Sequence, residues 1–187
     1  MIDLAMHMMD IVQNAIRAGA KRIGIDFVES SEKDALLFRV TDDGSGMSEA
    51  GLSKVDDPFF TTRTTRRVGL GVPFLKMTCE QAGGSLKVLS AEGRGTTIEA
   101  VYRTDHPDCL PLGDIAGYLT LLLKANPAIC FRFVYQLDAS EFTLDSDVLK
   151  AEGIELQQAA MLSLVKQYIR EHLHALHKDR STESYLC

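Results

Sequence analysis

The sequence predicts an α/β (α+β) two-layer sandwich: a mixed, mostly antiparallel sheet with helices on one face, followed by a small C-terminal α-β-β-α appendage. Three observations carry this expectation. Over residues 4–18 the apolar side chains recur with helical period and cover most of a cylinder. Extended runs come in pairs separated by short polar stretches, the composition of hairpins. The order of segments is helix, two strands, glycine loop, basic loop, helix, two strands, which suits helices packed on a single sheet face.

Taken in order, the first helix carries His7, Asp10, Asn14 and Arg17 at spacings of three and four, so these side chains stack on one stripe, and Gly19 marks its stop. Runs 21–28 and 35–41 read as adjacent antiparallel strands around the polar loop 30–34. The loop Asp42-Asp43-Gly44-Ser45-Gly46-Met47 follows, then a short segment capped by Ser48, the run Asp57-Pro58-Phe59-Phe60 and the tract 61–67. A second helix is expected over 72–82, with Pro73 tolerated in its first turn and Gly83-Gly84 ending it. Runs 86–90 and 96–102 form another hairpin around Glu92-Gly93-Arg94-Gly95. Pro107 and Pro111, in a short polar stretch, resist both helix and ladder, which places a boundary between a domain at 1–104 and an appendage at 105–187. In the appendage the pattern predicts a helix over 112–125, strands over 129–137 and 141–149, and a long helix over 156–177. Leu162, Val165, Ile169, Leu173 and Leu176 share one face of that helix, able to pack back onto the core or to form a homodimer.

At 187 residues and 45% hydrophobic content the chain can bury a proper core. A formal net charge of -6 argues against general binding to nucleic acid or an anionic membrane, since both require a positive field, and it makes any phosphate site local. Cys79, Cys109, Cys130 and Cys187 are spaced too widely for a zinc knuckle and are expected to be buried hydrophobes. With no export leader and no apolar run near the ~20 residues of a membrane helix, a soluble, cytoplasmic protein is expected. His172, His174 and His177 do not share one helix face, so a solvated helix end is expected there in place of a metal site.

Several residues carry chemistry. Asp10 and Asn14, four apart on the polar stripe, offer oxygen ligands suited to magnesium and to polarising a water. Asp42, at a strand end, can accept a hydrogen bond from an exocyclic amine, and the glycines at 44 and 46 remove Cβ atoms that would keep a ligand from the loop. Thr61-Thr62-Arg63-Thr64-Thr65-Arg66-Arg67 concentrates three guanidinium groups and four hydroxyls in an acidic chain, a composition that suits triphosphate oxygens. Each feature alone has a blander reading, as a solvated helix face, an ordinary turn or a solvated loop. Their order and separation favour nucleotide binding.

Those same residues resemble the GHKL superfamily of Bergerat-fold ATPases over roughly residues 3–104. Asp10-Ile11-Val12-Gln13-Asn14-Ala15 resembles its N box and Asp42-Asp43-Gly44-Ser45-Gly46-Met47 its G1 box; Asp57-Pro58-Phe59-Phe60-Thr61-Thr62-Arg63 resembles the F box. Val68-Gly69-Leu70-Gly71-Val72, with Gly83-Gly84 and Gly93-Arg94-Gly95-Thr96-Thr97, resembles the G2 region. The resemblance implies ATP and Mg2+ as ligands, with Asn14 holding magnesium and Asp42 receiving the adenine amine. It further implies that Gly44, Gly46 and Met47 shape the base pocket, that Gly69, Leu70 and Gly71 lie at the hinge of a lid, and that Thr96 or Thr97 lies near the base. On charge grounds Thr62, Arg63, Arg66 and Arg67 join them as lid contacts to phosphate. Asp10 stands where hydrolysing members keep a glutamate general base and histidine kinases an asparagine; a carboxylate on a shorter stem could still orient water. Arg67 replaces the glycine usual two positions before Gly69 and can supply charge to the γ-phosphate.

The compact core is most similar to a stand-alone histidine-kinase ATP-binding domain. Because the N box begins almost at Met1, the acceptor hairpin is expected to be absent from this chain, and phosphoryl transfer is expected to reach another protein in trans, as phosphoacceptor on histidine or serine or as regulatory target. A nucleotide-dependent binding module without transfer is the alternative. A gyrase- or MutL-like hydrolytic clamp is less expected, because its transducer domain is larger than the 83 residues of 105–187.

Overall fold

The computed structural model describes residues 3–55 and 70–178. Strand β1 (Arg22–Ser30) shows why a sheet forms here: Ile23, Ile25, Phe27 and Glu29 are buried, and the residues between them are half-exposed, the two-residue period of a strand with one covered face. β2 (Ala35–Asp42) repeats the pattern with Leu36, Phe38 and Val40 and pairs antiparallel with β1, setting Phe27 opposite Phe38 with ring centroids 4.9 Å apart. β3 (Ser85–Ala91) and β4 (Gly95–Arg103) form the second hairpin, and β4 pairs antiparallel with β2.

Helix α1 (Leu4–Arg17) covers the buried face through Leu4, Ala5, Met8, Ile11, Val12 and Ala15. Its first turn is held by Asp3, whose carboxylate accepts from the Met6 amide at 2.8 Å. The one-turn helix α2 (Glu49–Leu52) starts at Ser48, whose hydroxyl accepts from the Gly51 amide. α3 (Gly71–Gln81) runs beside α1 and buries Leu75 and Cys79 against β3 and β4.

The chain beyond residue 105 continues the same sheet. α4 (Ile115–Ala125) begins three residues later than its pattern suggests, because Asp114 serves as its cap, accepting from the Gly117 amide at 3.0 Å. β5 (Cys130–Leu137) then lies parallel to β1, so the strand order is β3-β4-β2-β1-β5-β6 and the textural boundary at 104/105 does not interrupt the hydrogen-bonded ladder. This parallel pair makes the sheet mixed and mostly antiparallel.

The strand expected over 141–149 is split. β6 (Ser140–Asp145) ends where the Asp145 side chain accepts from the amides of Asp147 and Val148, and that cap starts helix α5 (Ser146–Ala151). α6 (Ala159–Leu176) packs on α4 and β6 through Val165 and Ile169, with Leu162, Leu173 and Leu176 partly buried beside them. Its end is not solvated throughout as expected: the His177 ring is buried edge-on against Tyr135 at 5.2 Å, and His172 stacks on Phe142 at 4.9 Å. The aromatic rings of β5 and β6 draw His177 in, while His172 stays exposed on the Phe142 ring. Cys79 and Cys109 are buried and Cys130 half-buried, all as free thiols.

Candidate functional site

A cavity of about 490 Å³ opens between α1, the β2 end and the start of α3, within the range of small-ligand sites. Its walls are apolar, from Ile11 and Ala15 on α1, Val40 and Ile98 on the sheet, Met47 and Val55 on the loop, and Val72 on α3. The end of β2 puts Asp42 into this cavity, where burial raises its carboxyl above the ordinary value although amide hydrogen bonds from Gly44 and Thr96 pull it down. Its neighbour Asp43 points elsewhere: its carboxylate accepts from the amides of Lys21 (2.7 Å) and Arg22 (2.8 Å) and clamps the loop to β1.

The loop glycines are set by close approaches within the protein, and Gly46 also lines the cavity. A Cβ on Gly44 would lie 2.8 Å from the Ala18 Cβ and 2.9 Å from the Asp42 carboxylate, and one on Gly46, at φ 65°, would lie 1.9 Å from the Ala91 carbonyl oxygen. Glycine is needed so that the loop can close on the protein itself.

Ser90 finishes the base end. Its hydroxyl donates to the Gly95 carbonyl (3.0 Å), accepts from the Met47 amide (2.9 Å) and lies 2.9 Å from Thr96 Oγ1. Thr96 therefore lines the cavity. Thr97, one residue on, stands on the opposite sheet face, where its hydroxyl meets Thr41 at 3.4 Å.

At the other end Leu70, which precedes α3, makes no side-chain cap hydrogen bond; Pro73 has no N–H and the Phe74 amide donates to the Leu70 carbonyl at 2.9 Å, so the amides of Gly71 and Val72 are the donors this turn can offer. Gly71 sits there, and a Cβ on it would come within 3.5 Å of Asp10 Oδ2 and 3.8 Å of Asn14 Nδ2, so both stripe residues of α1 face this helix end. Arg17 donates from its guanidinium to Asn14 Oδ1 and also lines the cavity. Leu70 turns outward into a shallow groove with Phe74 and Met77. Gly69, Thr62, Arg63, Arg66 and Arg67, with the F box, lie outside the described residues. The sequence reading did not assign Arg17 or the wall residues Ile11, Ala15, Val40, Val55, Val72 and Ile98, nor Ser90, which braces the loop without lining the cavity. Arg17 was signalled by its place three residues after Asn14, whereas Ser90 carries no local signal.

A half-buried acceptor between apolar walls at one end and uncapped helix amides beside Asp10 and Asn14 at the other fit a nucleotide with its base on the sheet and its phosphates at α3. Residues 2–106 match the model of the histidine kinase-, DNA gyrase B- and HSP90-like ATPases. The chain belongs to this family. Within it, the sensor histidine kinase ZraS of Escherichia coli (strain K12) is 35% identical over 96 residues, covering 51% of this chain and 20% of that protein. The sensor kinase CckA of Brucella abortus (strain 2308) is 27% identical over 143 residues, 68% of this chain and 15% of that one. Sporulation kinase C of Bacillus subtilis (strain 168) is 27% identical over 93 residues, 50% and 22% respectively. The chain spans about a fifth of the length of these relatives. The N-terminal domain of a DNA repair protein shares the fold, with a TM-score of 0.54 at 16% identity, covering 76% of this chain and 52% of that one. As a member of the family, the chain is an ATP-binding, kinase-like domain. No helix among the described residues is long and apolar enough to cross a membrane.

Proposed function

We propose that this chain is a magnesium-ATP-binding domain of the histidine-kinase type that phosphorylates or regulates a partner protein in trans. The observation that carries the reading is the meeting of Asp10 and Asn14 with the uncapped first turn of α3 at Gly71, opposite the base end at Asp42. Asp42 receives the adenine amine, with Thr96 beside it. The α3 amides hold phosphate oxygens, helped by the N-terminal end of the helix dipole. Asn14, with Asp10, holds magnesium once Arg17 swings from Asn14 Oδ1 toward the phosphates, a movement open to an exposed side chain. Bound magnesium-ATP supplies the transferable phosphoryl group with its charge neutralised. Asp10 is the candidate general base, placed to orient a water for hydrolysis. Thr62, Arg63, Arg66 and Arg67, hinged at Gly69, are the proposed lid contacts. Sensor kinases among the relatives support transfer to a protein.

One observation favours a second reading. Arg17 already occupies the oxygen that magnesium would take, which suits a module that binds nucleotide and docks a partner without phosphoryl transfer. Incubation with γ-labelled ATP and magnesium in a lysate separates the two. Label on a partner, lost in Asp42→Ala but kept in Asp10→Asn, supports transfer; nucleotide-induced stabilisation with no label on any protein supports the binding module.

A further inference from the structure

Beneath the nucleotide cavity lies a buried polar tie that the nucleotide contacts leave unused. His7 on α1, Thr78 on α3 and Tyr102 on β4 are all in the core, and Thr78 Oγ1 lies 3.1 Å from both His7 Nε2 and the Tyr102 hydroxyl. The same oxygen donates to the Leu75 carbonyl at 3.1 Å. A hydroxyl has one proton and two lone pairs, so with its proton on Leu75 it accepts from both neighbours. The His7 Nδ1 atom, fully buried, has no hydrogen-bond partner among the described residues, whichever ring nitrogen carries the proton. Apolar side chains would fill this space without leaving any orphan. Three polar groups here therefore carry directional information that packing alone would not supply.

The direction leads to the phosphate end. His7, Asp10 and Asn14 share the α1 stripe, while Thr78 lies seven residues after Gly71 on α3, roughly 10 Å along the helix. The two helices touch at one place through Gly71 against Asp10 and Asn14, and at the other through Thr78 against His7. Leu75 and Cys79 seat α3 on β3 and β4 by apolar packing, which is not directional. The Thr78 contact, joined to the sheet by Tyr102, adds a directional link between α3 and α1.

We propose that the His7–Thr78–Tyr102 tie is a positioning device that sets the register of α3 on α1, and so holds the α3 amides against Asp10 and Asn14 for the phosphates of the nucleotide. It rests on the nucleotide reading above. Asp42, at the end of β2, and Thr96, at the start of β4 six residues before Tyr102, make no contact with the tie, so the base contacts are expected to be independent of it.

The test uses the full chain and two probes, magnesium-ATP by calorimetric titration and adenosine by NMR titration. Thr78→Val keeps the shape and deletes the hydroxyl. It is expected to weaken magnesium-ATP by about fivefold or more, the ratio that one ordinary hydrogen bond represents, while adenosine stays within about twofold, and Thr78→Ser is expected to restore wild-type binding. Equal losses for both probes, or no loss for either, would overturn the proposal and leave a tie with a structural role only. If Thr78→Val does not melt cooperatively, Tyr102→Phe is read by the same ratio, with the same selective loss expected and the same outcomes decisive. A wild-type chain that binds neither probe refutes the nucleotide reading before any variant is made, and this proposal with it.

Discussion

The two ends of the nucleotide cavity are built by different means. At the base end some contacts are short in sequence, the Gly44 amide donating to Asp42 two residues away and Ser90 meeting Thr96 six residues on within a hairpin, while the Met47 amide reaches Ser90 across 43 residues. At the phosphate end the elements come from far apart, since His7 and Thr78 are separated by 71 residues and Gly71 meets Asp10 and Asn14 only after α3 packs on α1. The lesson is that the contacts proposed for the base lie on strand ends and the loop they hold, whereas the geometry proposed for the phosphates is a property of helix packing.

The largest effect that could break this contrast concerns His7. Burial holds its imidazole down to about 4 from an ordinary 6.5. The unfolded chain therefore takes up a proton in a window where the native chain does not, so His7 contributes full stability above pH 6.5 and loses it as pH falls toward 4, in all about 3 kcal/mol. His7→Gln cannot titrate. Urea denaturation between pH 7 and 4 is expected to fall more steeply for the wild type than for this variant, and parallel curves would show that the root of the phosphate end is not buried as described.

Next in size is Asp42→Ala, which removes a charged acceptor worth about 2 kcal/mol to the base amine. Affinity for ATP and for adenosine should fall together, on the order of thirtyfold, and the rise in melting temperature with nucleotide should largely vanish. A loss confined to ATP would mean that Asp42 serves the phosphates and that the two ends have been placed the wrong way round.

The smallest effect sharpens the base end. Thr96→Val and Thr97→Val differ by one position on β4 and stand on opposite faces. The first should weaken adenosine by a few-fold, consistent with about 1 kcal/mol, and the second should change it by less than about 0.5 kcal/mol. Adenosine titration of both variants decides it; an equal loss in both would remove Thr96 from the site.

The fold was legible where its signals are local. Alternation over β1 and β2 and the helical stripe of α1 announce themselves within a dozen residues, because burial on one face imposes a period. β6 was misjudged in length for a local reason too. Asp145 is a helix cap with few apolar residues after it, and Val148 and Leu149 resemble strand residues until that cap is recognised. The boundary near residue 105 was read from prolines and polarity, which report the flexibility of a connection and carry no information about which strand the next segment joins.

The sequence by itself determined the ingredients of the site: Asp10 and Asn14 on one helix stripe, Asp42 at a strand end, and a glycine loop between. Spacing along a regular element fixes direction, so those placements needed no tertiary information. Only the tertiary structure decided that β5 enters parallel to β1, that the loop glycines serve closure on Ala18 and Ala91, that α3 presents Gly71 to Asp10 and Asn14, and that His7 reaches Thr78. Each of these is a meeting of residues distant in the chain, set by which apolar surfaces bury best together, and no local period records it.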